Sequence, residues 1–177
     1  MSCIAAGKLN LDPAEMDLVE AVRESLTPFR ELLEEKKIPV EVRAGSPVRV
    51  RCDRFRTEQV VANLMMNAIK FGGGKPIVVE IGGDAREAWF EVGDHGVGMS
   101  PEFQSRLFEP FEQAARKDYH GGLGLGLYIS RQIAEAHGGR IAVDSEVGTG
   151  TKLRVTLPRS GPPPAGGAKA PSGGVPS

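Results

Sequence analysis

Three observations predict an α/β fold. Short stretches alternate apolar with polar residues at the two-residue period of strands. Between them, apolar residues recur every three to four positions, as in amphipathic helices. Glycine and proline clusters separate the segments. The chain has 177 residues, 40% hydrophobic and 25% charged, enough to enclose one core.

Leu9 and Leu11 flank Asn10 and permit a short strand over 9–11. Asp17 followed by Glu20 has the form of a capping box. Leu18, Val22, Leu26, Phe29 and Leu33 keep helical spacing, so a helix is expected up to about Lys37, kinked by Pro28. Its charged end, 34–37, reads as a solvated surface. Residues 38–43 and 48–52 alternate and are separated by Gly45-Ser46-Pro47, which predicts two strands joined by a turn.

Asp53 can cap the next helix, 54–71. Apolar residues cover most of its circumference, which predicts burial. Asn63, Asn67 and Lys70 nevertheless share one face. Buried amides without partners cost a few kcal/mol, about 2 or more each. Two uses fit: tying neighbouring backbone, or lining a cavity that holds polar ligand atoms.

Strands follow at 77–81 and 88–92, joined around Gly82-Gly83-Asp84. Asp94 then opens DHGVGMS: a strand ends in a carboxylate and enters a two-glycine loop. This is either an ordinary turn with a solvated Asp or an acceptor suited to the amino group of a base. Pro101 can start a short helix through Leu107. Phe108 and Phe111 suit core or loop anchoring, and the polar stretch 112–120 suits a mobile lid.

Residues 118–130 read DYHGGLGLGLYIS, with four glycines at Gly121, Gly122, Gly124 and Gly126. Glycine-rich backbone feeding a helix N-terminus offers unpaired N–H groups to an anion, although such runs also serve as flexible connections. No Gly-Lys-Ser/Thr follows, which excludes a Walker A loop, and no strand enters directly, which excludes a dinucleotide fingerprint. A helix over 127–136 stops at Gly138-Gly139. Strands 140–145 and 151–157 flank the Gly148-Thr149-Gly150 turn. From Pro158 onward the composition predicts disorder.

Five motifs thus occur in order: NLMMNAIKF, DHGVGM, FEPF, GGLGLGL and GTGT. Together they resemble the N, G1, F and G2 boxes and the final turn of the catalytic ATP-binding domain of two-component sensor histidine kinases. The resemblance spans about residues 9–158. It implies the Bergerat fold of the GHKL superfamily: a two-layer α/β sandwich with a mixed, mostly antiparallel sheet and helices on one face. The implied organisation is the end of an upstream linker and first strand in 1–11, the catalytic domain in 12–158, and a disordered tail in 159–177.

Carried over residue by residue, the resemblance implies that Asn67 coordinates Mg²⁺, Asn63 lines the phosphate region and Lys70 faces the phosphates. It gives Asp94 the adenine N6 amino group. Gly96, Gly98 and Met99 belong to the base-side loop, and Phe108 and Phe111 anchor the lid. Gly122, Leu123, Gly124, Leu125, Gly126 and Leu127 form the triphosphate cradle, and Thr151 lies near the adenine. Related ATPases commonly carry a water-activating glutamate at the position of Asn63. Its absence favours transfer to a protein nucleophile over hydrolysis.

The function so implied is transfer of the ATP γ-phosphate to a histidine on a dimerisation hairpin, for relay to a response regulator. His95, His120 and His137 all sit in poor positions to be that acceptor, so the hairpin is expected in a longer parent protein or in trans. Two alternatives are a nucleotide-binding module without turnover and an anti-sigma serine kinase of the same superfamily. Net charge is −1 and the pI about 6.3, which gives nucleic-acid binding no electrostatic support. Cys3 and Cys52 lack metal-like spacing and fit a reducing compartment. No apolar run approaches membrane-spanning length. The expected location is cytoplasmic with no membrane contact by this segment, leaving open an anchor elsewhere in a parent protein.

Overall fold

The computed structural model describes residues 9–112 and 124–164. The first strand, β1, is Pro13–Asp17 rather than 9–11. Asp17 closes it and caps helix α1, Leu18–Ser25: its carboxylate accepts the N–H groups of Val19 and Val48. The long helix expected to reach Lys37 is instead two helices. A 3₁₀ turn, Thr27–Phe29, carries Pro28 and separates α1 from α2, Arg30–Glu35. Proline supplies no N–H and collides with the preceding turn, which kinks or breaks a helix, and here the helix is broken.

The two strands expected over 38–52 are present as β2, Val40–Ala44, and β3, Arg49–Asp53, but they do not pair with each other. β3 pairs antiparallel with β1 in a two-stranded sheet. β2 instead joins β4, Ile77–Gly83, in parallel. The turn between β2 and β3 is therefore a crossing between sheets. The main sheet runs β2-β4-β5-β7-β6, with β5 Glu87–Asp94, β6 Arg140–Glu146 and β7 Gly150–Pro158. All its pairs but the first are antiparallel.

Register explains which face is covered. One row across the sheet is Val42, Val79, Val92, Leu153 and Val143; the next inward row is Ala44, Ile81, Phe90, Val155 and Ile141. These rows face the core, against helix α3, Arg54–Phe71, and helix α5, Gly126–Ala136. Between them runs a row of opposite character: Arg43, Glu80, Glu91 and Arg154. Its ion pairs are Arg43–Glu80, which is exposed and worth under about 1 kcal/mol, and Arg154–Glu91, whose carboxylate is buried although no helix covers this face. Period-two alternation alone thus yields the two-layer arrangement.

Helix α3 is capped by Asp53, which accepts the N–H of Arg56. Its buried side is Thr57, Val60, Val61, Leu64, Met65, Ala68 and Ile69, leaving Met66 partly exposed. His137 locks α5 to this start. Its Nδ1 hydrogen-bonds the carbonyl of Ile133 at 2.8 Å, and Nε2 accepts the Asp53 N–H at 2.9 Å. The short helix α4 is Pro101–Gln104, shorter than the expected reach to Leu107. The folded body also continues past Pro158. Arg51 donates its N–H to the Arg159 carbonyl, and Gly161 lies against the Arg51 side chain. Residues 113–123 and 165–177, which include most of the expected lid and tail, lie outside the described residues. Among the described residues no helix is long and apolar enough to cross a membrane.

Candidate nucleotide site

Helix α3 brings the three expected segments together. Midway along it, Asn63 Nδ2 donates to the Gly126 carbonyl at 3.0 Å and to Ser130 Oγ at 3.2 Å. This is the backbone-tying use of the amide, and it fixes the start of α5 against α3. Ser130 Oγ donates to the same Gly126 carbonyl. A carboxylate at position 63 would face that carbonyl with no proton to offer. Asn67, one turn further on, is half-buried and has no hydrogen-bond partner among the described residues. Lys70 is half-buried in the last turn.

The end of α3 meets the Asp94 loop. A Cβ added to Gly96 would overlap the Phe71 carbonyl oxygen and sit 2.7 Å from Gly72 Cα. Gly96 is therefore glycine because the loop passes against α3. The close approach is to protein backbone, not only to a base. Gly98 has φ +66° and faces the Glu146 carbonyl, so it needs glycine for both conformation and space.

Asp94 is half-buried at the end of β5 and accepts the Gly96 N–H at 2.8 Å. Burial pushes its carboxyl above the usual range, while the Gly96 and Thr151 backbone N–H groups pull the other way. Thr151 is its register partner on β7 and is buried.

Ser145 and Gln104 were missed in the sequence reading. Ser145 Oγ accepts the Met99 N–H at 2.9 Å, donates to the Gly150 carbonyl at 2.9 Å and bonds Thr151 Oγ1 at 2.8 Å. Gln104 Nε2 donates to the carbonyls of Met99 at 3.0 Å and Ser145 at 2.8 Å. The pair fastens the far end of the Asp94 loop to the β6–β7 turn. A signal for Ser145 existed: it continues the inward phase of Ile141 and Val143 as a polar residue in an apolar register. We expect Ser145→Ala to lower stability by about 1–2 kcal/mol and to speed hydrogen exchange at the Met99 amide. An unchanged Met99 exchange rate would contradict this role.

On the cradle side, Phe108 and Leu127 pack against the core. Phe111 does not: it is 68% exposed, has φ +65° and donates its N–H to the Gly124 carbonyl at 3.1 Å. Gly124, at φ +67°, has no room for a Cβ beside the Glu112 carbonyl. Leu125 precedes α5 without a side-chain cap, so the first-turn N–H groups lack that partner. Gly122 and Leu123 lie outside the described residues. Among the described residues no cluster of three His, Cys, Asp or Glu could hold a metal. His95 is exposed with Nδ1 bonded to the Pro76 carbonyl, and His137 is buried with both nitrogens engaged.

Comparison with known proteins points the same way. Residues 52–161 match the family described as histidine kinase-, DNA gyrase B- and HSP90-like ATPase. The phytochrome-like protein Cph1 of Synechocystis is 37% identical over 144 residues, covering 80% of this chain and 19% of its own length. The histidine protein kinase DivJ of Caulobacter vibrioides is 37% identical over 164 residues, covering 89% of this chain and 27% of its own. The chain thus spans about a fifth to a quarter of these relatives. Among solved structures, full-length ShkA in complex with AMPPNP superposes with a TM-score of 0.78 at 27% identity, over 88% of this chain and 33% of that one. The nucleotide-free catalytic domain of the histidine kinase ThkA gives 0.76 at 27% identity, over 85% of this chain and 99% of that one.

Proposed function

Because the chain belongs to the histidine kinase-, DNA gyrase B- and HSP90-like ATPase family, we propose that it is the ATP-binding catalytic domain of a sensor histidine kinase. It transfers the γ-phosphate of ATP to a histidine on a dimerisation hairpin, for relay to a response regulator receiver domain. The single observation that carries this reading is the convergence on α3: Asn63 holds the start of the cradle helix, and the last turn abuts the Asp94 loop. The AMPPNP complex of ShkA supports an adenine nucleotide as the ligand.

In this reading Asp94 accepts from the adenine amino group, and Thr151 shapes that end. The cradle from Gly122 to Leu127 offers backbone N–H groups to the phosphates, and Lys70 adds positive charge. Asn67 fits Mg²⁺: unlike Asn63, whose amide nitrogen is tied to Gly126 and Ser130, its whole amide has no partner among the described residues, and carboxamide oxygen suits a hard cation. When bound, Mg²⁺ supplies charge neutralisation at the phosphates. The residues position more than they react, as phosphoryl transfer requires. Asn63 supplies no carboxylate to activate water, which favours transfer over hydrolysis. The catalytic unit is 12–158 with the packed residues Arg159 and Gly161 at its end; it works in the cytoplasm, and the phosphoaccepting histidine lies on a separate hairpin.

The test mixes the chain, radiolabelled ATP and a hairpin domain carrying the acceptor histidine. We expect acid-labile label on the hairpin, and none with Asn67→Asp. Nucleotide binding without transfer would mark a module lacking turnover, and acid-stable label would mark a serine kinase; either contradicts the proposal.

A further inference from the structure

Helices α2 and α5 end in the same backbone motif. After α5, Gly139 donates its N–H to the Ala134 carbonyl and Gly138 to that of Glu135, with Gly138 at φ +79°. After α2, Ile38 donates to Leu33 and Lys37 to Glu34, with Lys37 at φ +55°. Glycine fills this left-handed position at least cost. At α2 the chain places a lysine there instead. A non-glycine residue in this region costs about 1 kcal/mol or more, and such positions cluster at functional sites.

Lys37 stands at the mouth of a groove of about 660 Å³ between α1, α2 and β2, remote from the nucleotide site. Its floor is apolar: Leu26, Leu33, Ile38, Val40 and Val42. Its rim carries three cations, Arg23, Arg30 and Lys37, against one carboxylate, Glu34. The three rim cations form no ion pair among the described residues, so no neighbouring carboxylate neutralises them. The groove runs along β2, which ends the main sheet and has a strand on one side only. Its other edge therefore presents backbone donors and acceptors to an incoming chain.

We infer that this groove is a docking site for an acidic, extended segment of a partner protein, added as a strand to the edge of β2. Backbone pairing with Val40–Ala44 supplies the strand contact. On the groove-facing side of the added strand, apolar side chains meet Val40 and Val42 and carboxylates two residues away meet the three rim cations, while the intervening side chains face the opposite side of the sheet. The charge balance selects an acidic partner, and the strand edge selects a peptide over a small anion.

The experiment is an amide NMR titration of the full chain with a short N-acetylated peptide in which every second residue is threonine and the groove-facing positions carry valine and glutamate in turn, against its counterpart with lysine for glutamate. We expect shifts at 38–44 with the glutamate peptide only, and binding weakened about tenfold by Arg30→Glu. Lys37→Gly should raise the melting temperature by about 2 °C while weakening the peptide. ATP affinity should stay unchanged in both variants. Equal binding of the lysine peptide, shifts that spare 40–44, or competition by decanoate without strand shifts would each overturn the proposal.

Discussion

Asp94→Asn is expected to weaken ATP binding about 10- to 100-fold, the equivalent of losing one hydrogen bond to a charged acceptor, while leaving the fold as stable as before or more so. The two effects have one cause. Asp94 is held half-buried, and burial raises its carboxyl above the ordinary value despite the N–H groups of Gly96 and Thr151. A carboxylic acid whose folded pKa is raised favours the fold in its protonated form. That contribution is complete below the unfolded pKa and is lost as pH rises through the folded one. At neutral pH the ionised group therefore costs stability, and asparagine removes that cost while keeping an oxygen for the Gly96 N–H. Urea unfolding should show the variant's advantage at pH 7 and its disappearance on acidification through the raised carboxyl pKa. A variant that binds ATP normally, or is less stable at pH 7 than the parent, would show that Asp94 is structural.

The largest loss of stability is expected at a residue remote from the phosphates. His137→Ala should destabilise the domain by about 3–5 kcal/mol, as truncation of a buried ring does, with part of the loss from the stranded Asp53 N–H. Asp53 is a junction: its carboxylate accepts the N–H groups of Asp12 and Arg56, and its own N–H needs the imidazole Nε2. The acceptor role at Nε2 requires the neutral ring. His137→Gln should recover part of the loss, because the side-chain amide retains an acceptor. Denaturant midpoints for the three proteins decide it; an alanine variant as stable as the parent would mean the ring is dispensable. Phosphotransfer by the folded glutamine variant should persist, which separates this histidine from a phosphoacceptor.

Local rules recover much of this molecule. The caps at Asp17 and Asp53, helix 54–71, the β4–β5 and β6–β7 hairpins and the Gly138 stop follow from spacing and turn chemistry. What escapes such rules is pairing at a distance. Strands β2 and β3 have the alternation and the turn of a hairpin, but β2 gains a partner in Ile77–Gly83 and β3 in Pro13–Asp17, which no local pattern encodes. Pro28 was visible as a defect, but whether it bends or severs a helix depends on what α1 and α2 pack against. The site divides in the same way. Asn63, Asn67 and Asp94 announce themselves as polar groups where apolar ones were due. Gly96 looks like a ligand-facing glycine, and only the neighbouring end of α3 reveals what it must avoid.

Diffraction from the chain crystallised with AMPPNP and Mg²⁺ tests the central claim most directly. The adenine amino group is expected on the Asp94 carboxylate, the metal on Asn67 Oδ1 and the phosphates along the backbone that leads into α5. Nucleotide density elsewhere on the molecule, or a base with no contact to Asp94, would contradict it.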